Sequence, residues 1–350
     1  MSLHKEISFE DEICADLSAA GWLFEEGSAS RFDRARALFP EDVQTWLELS
    51  QPQVWEALTK SHGASALEVL ADRLRKSITD RGTLDVLRYG VELIGVKGLV
   101  SLAQFAPASG MNPDIVARYQ ANRLRVVRQV RYSKANENCI DLVLFLNGLP
   151  IATAELKTNF TQTIGDAIDQ YKFDRNPKGE PLLTFASGAL VHFAVSNRDV
   201  MMTTKLEGGA TRFLPFNRGN QGGAGNPTGG TGHPTAYLWQ EIWQHDSWLE
   251  IIGRYMIARR DKKKQISGII FPRYHQLDAT RKLRAQVKAE GAGGRFLIQH
   301  SAGSGKTNSI AWSAHFLADL HDDQHAKIFS SVIVVSDRNV IDAQLQEALF

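Results

Sequence analysis

Three charged residues interrupt an otherwise apolar stretch, and their types and spacing suit metal-assisted hydrolysis of a phosphodiester. In CIDLVLFLNGLPIATAELK, Asp141 breaks one apolar run, while Glu155 and Lys157 stand two apart in the next. Residues two apart on a strand share a face. Two carboxylates on adjacent strands supply the hard oxygen ligands that Mg²⁺ takes. A bound Mg²⁺ polarises a phosphate and lowers the pKa of an attacking water. A lysine beside it orients that water or offsets the developing charge. Asp141 and Glu155 are thus the expected metal ligands, and Asp141, Glu155 and Lys157 the expected catalytic set. The competing reading is a hairpin with a surface ion pair. Against it, three charged groups in apolar strands are costly to bury without a metal or a partner.

Register supplies a condition. With a regular two-residue turn at Asn147-Gly148, Asp141 would face Ala154 and Glu155 would point to the other face. The hydrolytic reading needs a one-residue adjustment, by a longer loop or a bulge. Pro150 cannot donate to a ladder and so favours a looser loop. The expectation is such a loop or bulge, with Asp141 opposite Glu155. Gln170 and Tyr171, on the helix that should follow, are further catalytic candidates that could sit over the metal and position DNA or the lysine. A plain helix-surface pair is the alternative for them. Glu10, on the first helix, is a candidate third carboxylate. The stretch 118–134 carries five arginines, one lysine and no acid, which suits either phosphate contact or a solvated basic face.

A second constellation is HSAGSGKT at 300–307, after the apolar RFLIQ and before NSIAWSAHFLADL. Strand, Gly-rich turn and helix in that order form the context of a phosphate loop. Gly303, Ser304 and Gly305 would turn backbone N–H groups toward phosphate oxygens, Lys306 would sit beside the β and γ phosphates, and Thr307 would offer its hydroxyl to Mg²⁺. The ligand expected there is ATP. The usual pattern has a glycine where His300 stands, a departure closer to helicase-like motors than to small-molecule kinases. Gln276, in RYHQ about thirty residues upstream, resembles the adenine-reading glutamine of superfamily 2 helicases. Downstream, SVIVVSDRNVIDAQ resembles the next strand of such motors.

The elements that must position these groups follow from periodicity. Ser8 reads as the N-cap of a helix with Ile13, Leu17 and Ala20 on one face, stopped at Gly21. Apolar residues three and four apart continue a helical texture over 45–104, and Asn112-Pro113-Asp114 opens another helix to about Leu124. RVVRQVRY, CIDLVLFL and PIATAELK then read as strands. A helix over 165–171 and a strand over 189–196 complete an α/β region with a mixed sheet. The segment 217–234 holds seven glycines in eighteen residues and reads as a flexible surface loop. A Trp-rich helix is expected over 237–255, a basic hinge at 259–264, a helix over 274–290, a strand over 295–299, a helix from Thr307 and a strand over 331–336. The domain division is therefore 1–258, a hinge at 259–264, and 265–350.

Composition narrows the class. The 350 residues carry 40 Lys plus Arg against 39 Asp plus Glu, with 43% hydrophobic residues, the balance of a folded chain. No apolar run is long enough to span a bilayer, and the N-terminus lacks the apolar core of a signal peptide. Two cysteines, Cys14 and Cys139, exclude a disulfide framework and a cysteine-built zinc site, and point to a reducing, cytoplasmic setting. The chain ends at Phe350 before any acidic DExH-type motif. It is expected to hold the beginning of a motor and not to complete an ATPase cycle.

NGLPIATAELK (147–157), DAIDQYKFDRNP (166–177), TKLEGGATRFLPFNRG (204–219), GAGNP (223–227), FPRYHQLDATRKL (271–283) and LIQHSAGSGKTNSIAW (297–312) together resemble the R subunit of type I restriction–modification enzymes. The resemblance implies an α/β fold, with a PD-(D/E)xK nuclease-like mixed sheet followed by the start of a P-loop, superfamily 2 helicase-like motor. It implies double-stranded DNA cleavage driven by ATP-dependent translocation, with Mg²⁺ and ATP as cofactors. The implied partners are DNA and the methyltransferase and specificity subunits. Catalytic roles fall on Asp141, Glu155 and Lys157, and ATP contacts on Gln276 and 300–307. Related nucleases often carry QxxxY after the catalytic strand, whereas counting from Gln170 reaches Asp174 here. Two other readings remain open at this point: a helicase-like DNA-dependent ATPase whose N-terminal domain binds DNA without cutting it, and an assembly module in which the Trp-rich helix marks an interface.

Overall fold

The computed structural model describes residues 2–107, 110–158, 163–228 and 232–336, with side chains from residue 7 onward. Two compact units form, Met1–Ala106 with Asp114–Phe271, and Pro107–Pro113 with Pro272–Phe350.

In the first unit, α1 (Ser2–Ala19) begins well before the expected cap, and Ser8 lies exposed within it. Phe9, Ile13 and Leu17 are buried along its length, so packing, rather than a capping side chain, sets its extent. Next come α2 (Pro40–Ser50), α3 (Pro52–His62), α4 (Ala66–Arg81) and α5 (Thr83–Tyr89). Helix was expected to continue past Tyr89. Instead Gly90 turns the chain at φ +67, and β1 (Val91–Glu92) pairs with β2 (Leu99–Val100). A Cβ on Gly90 would lie 2.3 Å from the Val100 carbonyl oxygen, so only glycine allows that close approach.

After α6 (Pro113–Gln120) the chain builds its main sheet from β3 (Leu124–Arg131), β4 (Cys139–Leu146), β5 (Leu149–Lys157), β6 (Val191–Ser196), β7 (Val200–Thr203) and β8 (Leu214–Pro215). The strands lie in chain order, and all neighbours are antiparallel except β5 and β6. That parallel pair requires a crossover, which contains α7 (Ile164–Asp169). All nine residues of β5 are buried. One face of the sheet is covered by a core of Phe32, Phe39, Phe145, Tyr171, Leu182 and Leu183. On the other, Phe193 stacks with Phe216, Trp243, Trp248 and Phe271.

The turn between β4 and β5 is tight. Asn147 and Gly148 both have positive φ, 48° and 81°, and are flanked by the pair Leu146↔Leu149. This is the two-residue hairpin geometry that Asn-Gly favours. The looser loop is absent, and the extra residue enters one step later. Pairing runs Phe145↔Pro150 and then Leu144↔Ala152, so Ile151 is bulged. The bulge shifts register by one and carries on through Leu142↔Ala154, which sets Asp141 across from Glu155.

Three further expectations change. The Trp-rich stretch is not one helix but a π-turn (Leu238–Ile242), α8 (His245–Glu250) and a second π-turn (Ile251–Tyr255). Trp239, Trp243 and Trp248 are buried in the core, so they do not form an exposed interface. The described part of the Gly-rich segment is pinned: Asn226 donates to the Arg198 carbonyl and to Asn217 Oδ1, and Asn217 Oδ1 accepts the Val200 N–H. The basic run 259–264 falls in the hairpin of β9 (Ile257–Arg260) and β10 (Ile266–Ile270), inside the first unit.

The second unit contains α9 (Tyr274–Glu290) and α10 (Lys306–Ala318). The stretches 295–299 and 331–336, expected as strands, form no ladder among the described residues. A strand needs a partner for its N–H and C=O groups, and Leu297, Ile333 and Val335 stay exposed. No helix among the described residues is long and apolar enough to cross a membrane.

The turn offers a test of register control. A Cβ on Gly148 would lie 2.5 Å from the Phe39 carbonyl oxygen and 2.6 Å from Val43 Cγ2. Gly148→Ala should cost roughly 2–4 kcal/mol from left-handed strain plus overpacking. Urea unfolding measures it, and a loss within experimental error would show that α2 does not constrain the turn.

Candidate active site

Three strands bring the acidic side chains together. Gln129 lies between the pairs Arg128↔Leu142 and Val130↔Ile140, hence across from Asp141, which in turn lies across from Glu155. Gln129 has φ 49°, a local kink in β3. Its Nε2 donates to Glu10 Oε1 at 2.7 Å and to Asp141 Oδ1 at 3.4 Å. Asp141 Oδ2 accepts the Leu156 N–H at 2.8 Å. The carboxyl groups of Asp141 and Glu155 are within hydrogen-bonding reach of each other.

Glu155 has no exposure at all. Its Oε1 accepts from Arg175 Nε at 2.6 Å, while Oε2 is buried with no donor. Burial, and then the neighbouring Asp141, push its pKa well above the usual carboxylate range, although Arg175 opposes them. Glu10 is pushed up to about 7, by burial first and Asp141 second, with Arg128 and Gln129 acting the other way. Arg128 also pairs with Asp11, at 2.6 Å. Lys157 is 6% exposed and shares a strand face with Glu155.

Two acidic oxygens held this way need either a proton or a cation between them. Among the described residues no three His, Cys, Asp or Glu side chains form a ready metal cage. Mg²⁺ does not require one, since it keeps several waters and takes one or two carboxylates together with substrate phosphate. The orphaned Glu155 oxygen and the adjacent Asp141 therefore fit such an ion.

Of the other expected residues, Gln170 sits at the start of a π-turn (Gln170–Asp174) that directly follows α7, and its Oε1 is buried without a donor. Tyr171 is fully buried. Its hydroxyl is 2.7 Å from Thr153 Oγ1, which also bonds His192 Nδ1 at 2.8 Å. Burial holds His192 down to about 3; Thr153 stands two residues before Glu155, so this trio packs on the same face of the sheet as the carboxylates. Sequence reasoning missed Arg175 and Gln129. A signal for Arg175 existed in the single basic residue of DRNP, but only the π-turn brings it to Glu155.

In the second unit, α10 opens on the Gly-rich loop. Gly303 and Gly305 have φ 73° and 83°, and a Cβ on Gly305 would lie 2.5 Å from Gln276 Nε2. Gln276 spends its amide locally: Oε1 accepts the Arg273 N–H, and Nε2 donates to the carbonyls of Ser304 and Gly305. His275 Nε2 lies 3.0 Å from the Ser304 carbonyl, so it carries the proton, and the His275 ring stacks edge-on with His300. Lys306 Nζ reaches the carbonyls of His300 and Ser301. Ser304 Oγ is buried with no partner, and Thr307 is half-buried at the helix start. A helix N-terminus with such a loop has the geometry that can receive an anion.

A family model described as type I restriction enzyme R protein N terminus matches residues 9–211, more than half of the chain. A second, described as type III restriction enzyme, res subunit, matches residues 269–349. No curated protein matches the chain.

Glu10 gives the site a pH signature. Its folded-state pKa lies above the ordinary value of 4.5, so the folded state holds this proton more tightly than the unfolded chain. Stability from this group is complete below pH 4.5 and declines as pH rises to about 7. Glu10→Gln should remove about 2 kcal/mol of that decline, allowing for solvent screening. Urea unfolding of both proteins at pH 5 and pH 8 measures it. Parallel pH profiles for the two would mean that Glu10 is not held against Asp141.

Proposed function

The chain belongs to the family of type I restriction enzyme R protein N termini, and on that premise we propose that its first unit is a metal-dependent endonuclease acting on foreign double-stranded DNA. The second unit begins an ATP-driven, helicase-like translocation motor. The observation that carries the nuclease reading is the pair Asp141–Glu155, joined in register by a bulge, with one carboxylate fully buried and one of its oxygens lacking any donor.

Asp141 and Glu155 would hold Mg²⁺. When bound, that ion supplies charge to polarise the phosphate and acidify the attacking water. Lys157, two residues on along the same face, orients that water or meets the developing charge. Gln129 fixes Asp141 and Glu10 together, and Leu156 N–H holds the far oxygen of Asp141. Gln170 offers a buried carbonyl oxygen on the same side. Tyr171 supports β5 through Thr153, on the face that carries Glu155.

For ATP, the amides of Gly303, Ser304 and Gly305 bind phosphate oxygens, and Lys306 exchanges its loop carbonyls for them. Thr307 meets the accompanying Mg²⁺. Gln276 keeps the loop in shape, and an adenine contact would require it to exchange one of its present bonds. In the cell the proposed partners are double-stranded DNA and the methyltransferase and specificity subunits, in the cytoplasm. The alternative, a DNA-dependent ATPase with a non-cleaving N-terminal unit, leaves the buried Glu155 oxygen without a purpose.

Calorimetric titration with Mn²⁺ should give binding in the wild-type chain that is lost in Asp141→Ala. Lys157→Ala should keep the Mn²⁺ binding but lower DNA cleavage by the complete enzyme about 10²–10⁴-fold. Full cleavage by both variants would take the chemistry away from Asp141 and Lys157 and overturn the nuclease reading of this site.

A further inference from the structure

Arg175 stands within DAIDQYKFDRNP without a role assigned to it there, yet it donates to Glu155 at 2.6 Å. Helical spacing alone would bring Asp174, four residues on, to the face of Gln170. The turn Gln170–Asp174 is π-helical, and the Arg175 N–H bonds the Gln170 carbonyl at 3.0 Å. This five-residue step widens the turn by one residue. Arg175 comes round to β5 while Asp174 remains exposed. The Arg175 side chain is then 10% exposed, against a carboxylate with none.

The carboxylate oxygens can be accounted for one by one. Glu10 Oε1 is taken by Gln129 and Oε2 by Arg128. Asp141 Oδ2 is taken by the Leu156 N–H, and its Oδ1 has only the long contact to Gln129. Glu155 Oε1 is taken by Arg175, and Oε2 has no donor. Among the described residues two oxygens thus remain for a cation, one each from Asp141 and Glu155. That suffices for one Mg²⁺ that keeps its waters. A pair of ions about 3.5–4 Å apart would need bridging and flanking carboxylates that are already spent.

We propose that Arg175 is a positioning residue for the metal: it holds Glu155 as a one-oxygen ligand through Oε2 and occupies, as a fixed cation, the place a second ion would need. The centre therefore takes one divalent ion per chain. Its planar guanidinium, rather than a flexible ammonium, fixes the carboxylate plane. This inference rests on the nuclease reading above.

The test is titration calorimetry of Mn²⁺ into the wild-type chain, Arg175→Met, Arg175→Gln and Arg175→Lys, each checked for folding by its thermal transition. Wild type should bind one ion per chain. Arg175→Met should bind 10–100-fold more weakly, the range for loss of a group that orients a metal ligand. Arg175→Gln keeps a donor, and Arg175→Lys keeps the charge, so both should fall between. Should the Met variant fail to fold, the Gln and Lys variants decide by the same graded order. A purely structural Arg175 would lower the thermal transition and leave Mn²⁺ affinity unchanged in the folded variants, which overturns the proposal. Two ions in wild type, or tighter binding in Arg175→Met, would also overturn it. If the wild type bound no ion while folded, the nuclease reading itself would fall, an outcome distinct from these.

Discussion

A carboxylate with no solvent exposure, in a strand buried along its whole length within a six-stranded sheet, is the constraint to which the neighbouring elements answer. An isolated charge there would cost several kcal/mol. Glu155 keeps its place because Arg175 reaches one oxygen, while the partner strand turns a second carboxylate, Asp141, toward it. That second acid adds repulsion instead of relieving it. The arrangement therefore stores an electrostatic demand for positive charge at one point, which a proton or a divalent cation meets.

The rest of the first unit can be followed outward from that point. The Ile151 bulge sets the register that joins Asp141 to Glu155, and the bulge follows a turn clamped by α2 at Gly148. Asn147 locks the same turn to Leu102 and Asn122. Helix α1 brings Glu10 to the cluster and is itself held by Arg128 from β3. Within the crossover from β5 to β6, α7 ends in a π-turn, a costlier geometry than an α-helix, and that turn delivers Arg175. Bulge, kink and π-turn are all departures from regular structure, and all three lie within reach of the same carboxylates. Such departures persist where the surrounding structure over-determines them.

In the second unit the Gly-rich loop is held in shape by its own neighbours. Gln276 and His275 bind its carbonyls from α9, and Lys306 folds back on two more. Binding an anion would exchange Lys306's carbonyl bonds for charged ones and leave the α9 contacts standing. His300, where a glycine is usual, is accommodated by edge-on stacking with His275.

The sequence by itself determined what depends on local chemistry. The strand identity of 139–146 and 150–157 follows from branched residues, and the helix over 274–290 follows from periodicity. The Gly-rich turn ahead of α10 follows from glycine spacing, and the need for a register shift follows from counting residues across Asn147-Gly148. Tertiary structure decided what depends on partners far along the chain. A helix over 237–255 was the local preference, but packing Trp243 and Trp248 against Phe193, and Trp239 against Phe9, broke it into π-turns and a short helix. Strands at 295–299 and 331–336 were the local preference too, but a strand exists only through a ladder partner. Arg175 lies twenty residues from Glu155, and α-helical spacing would have pointed it away. Which cation reaches a buried carboxylate is fixed by the width of one helical turn, and no periodicity in the sequence states that width.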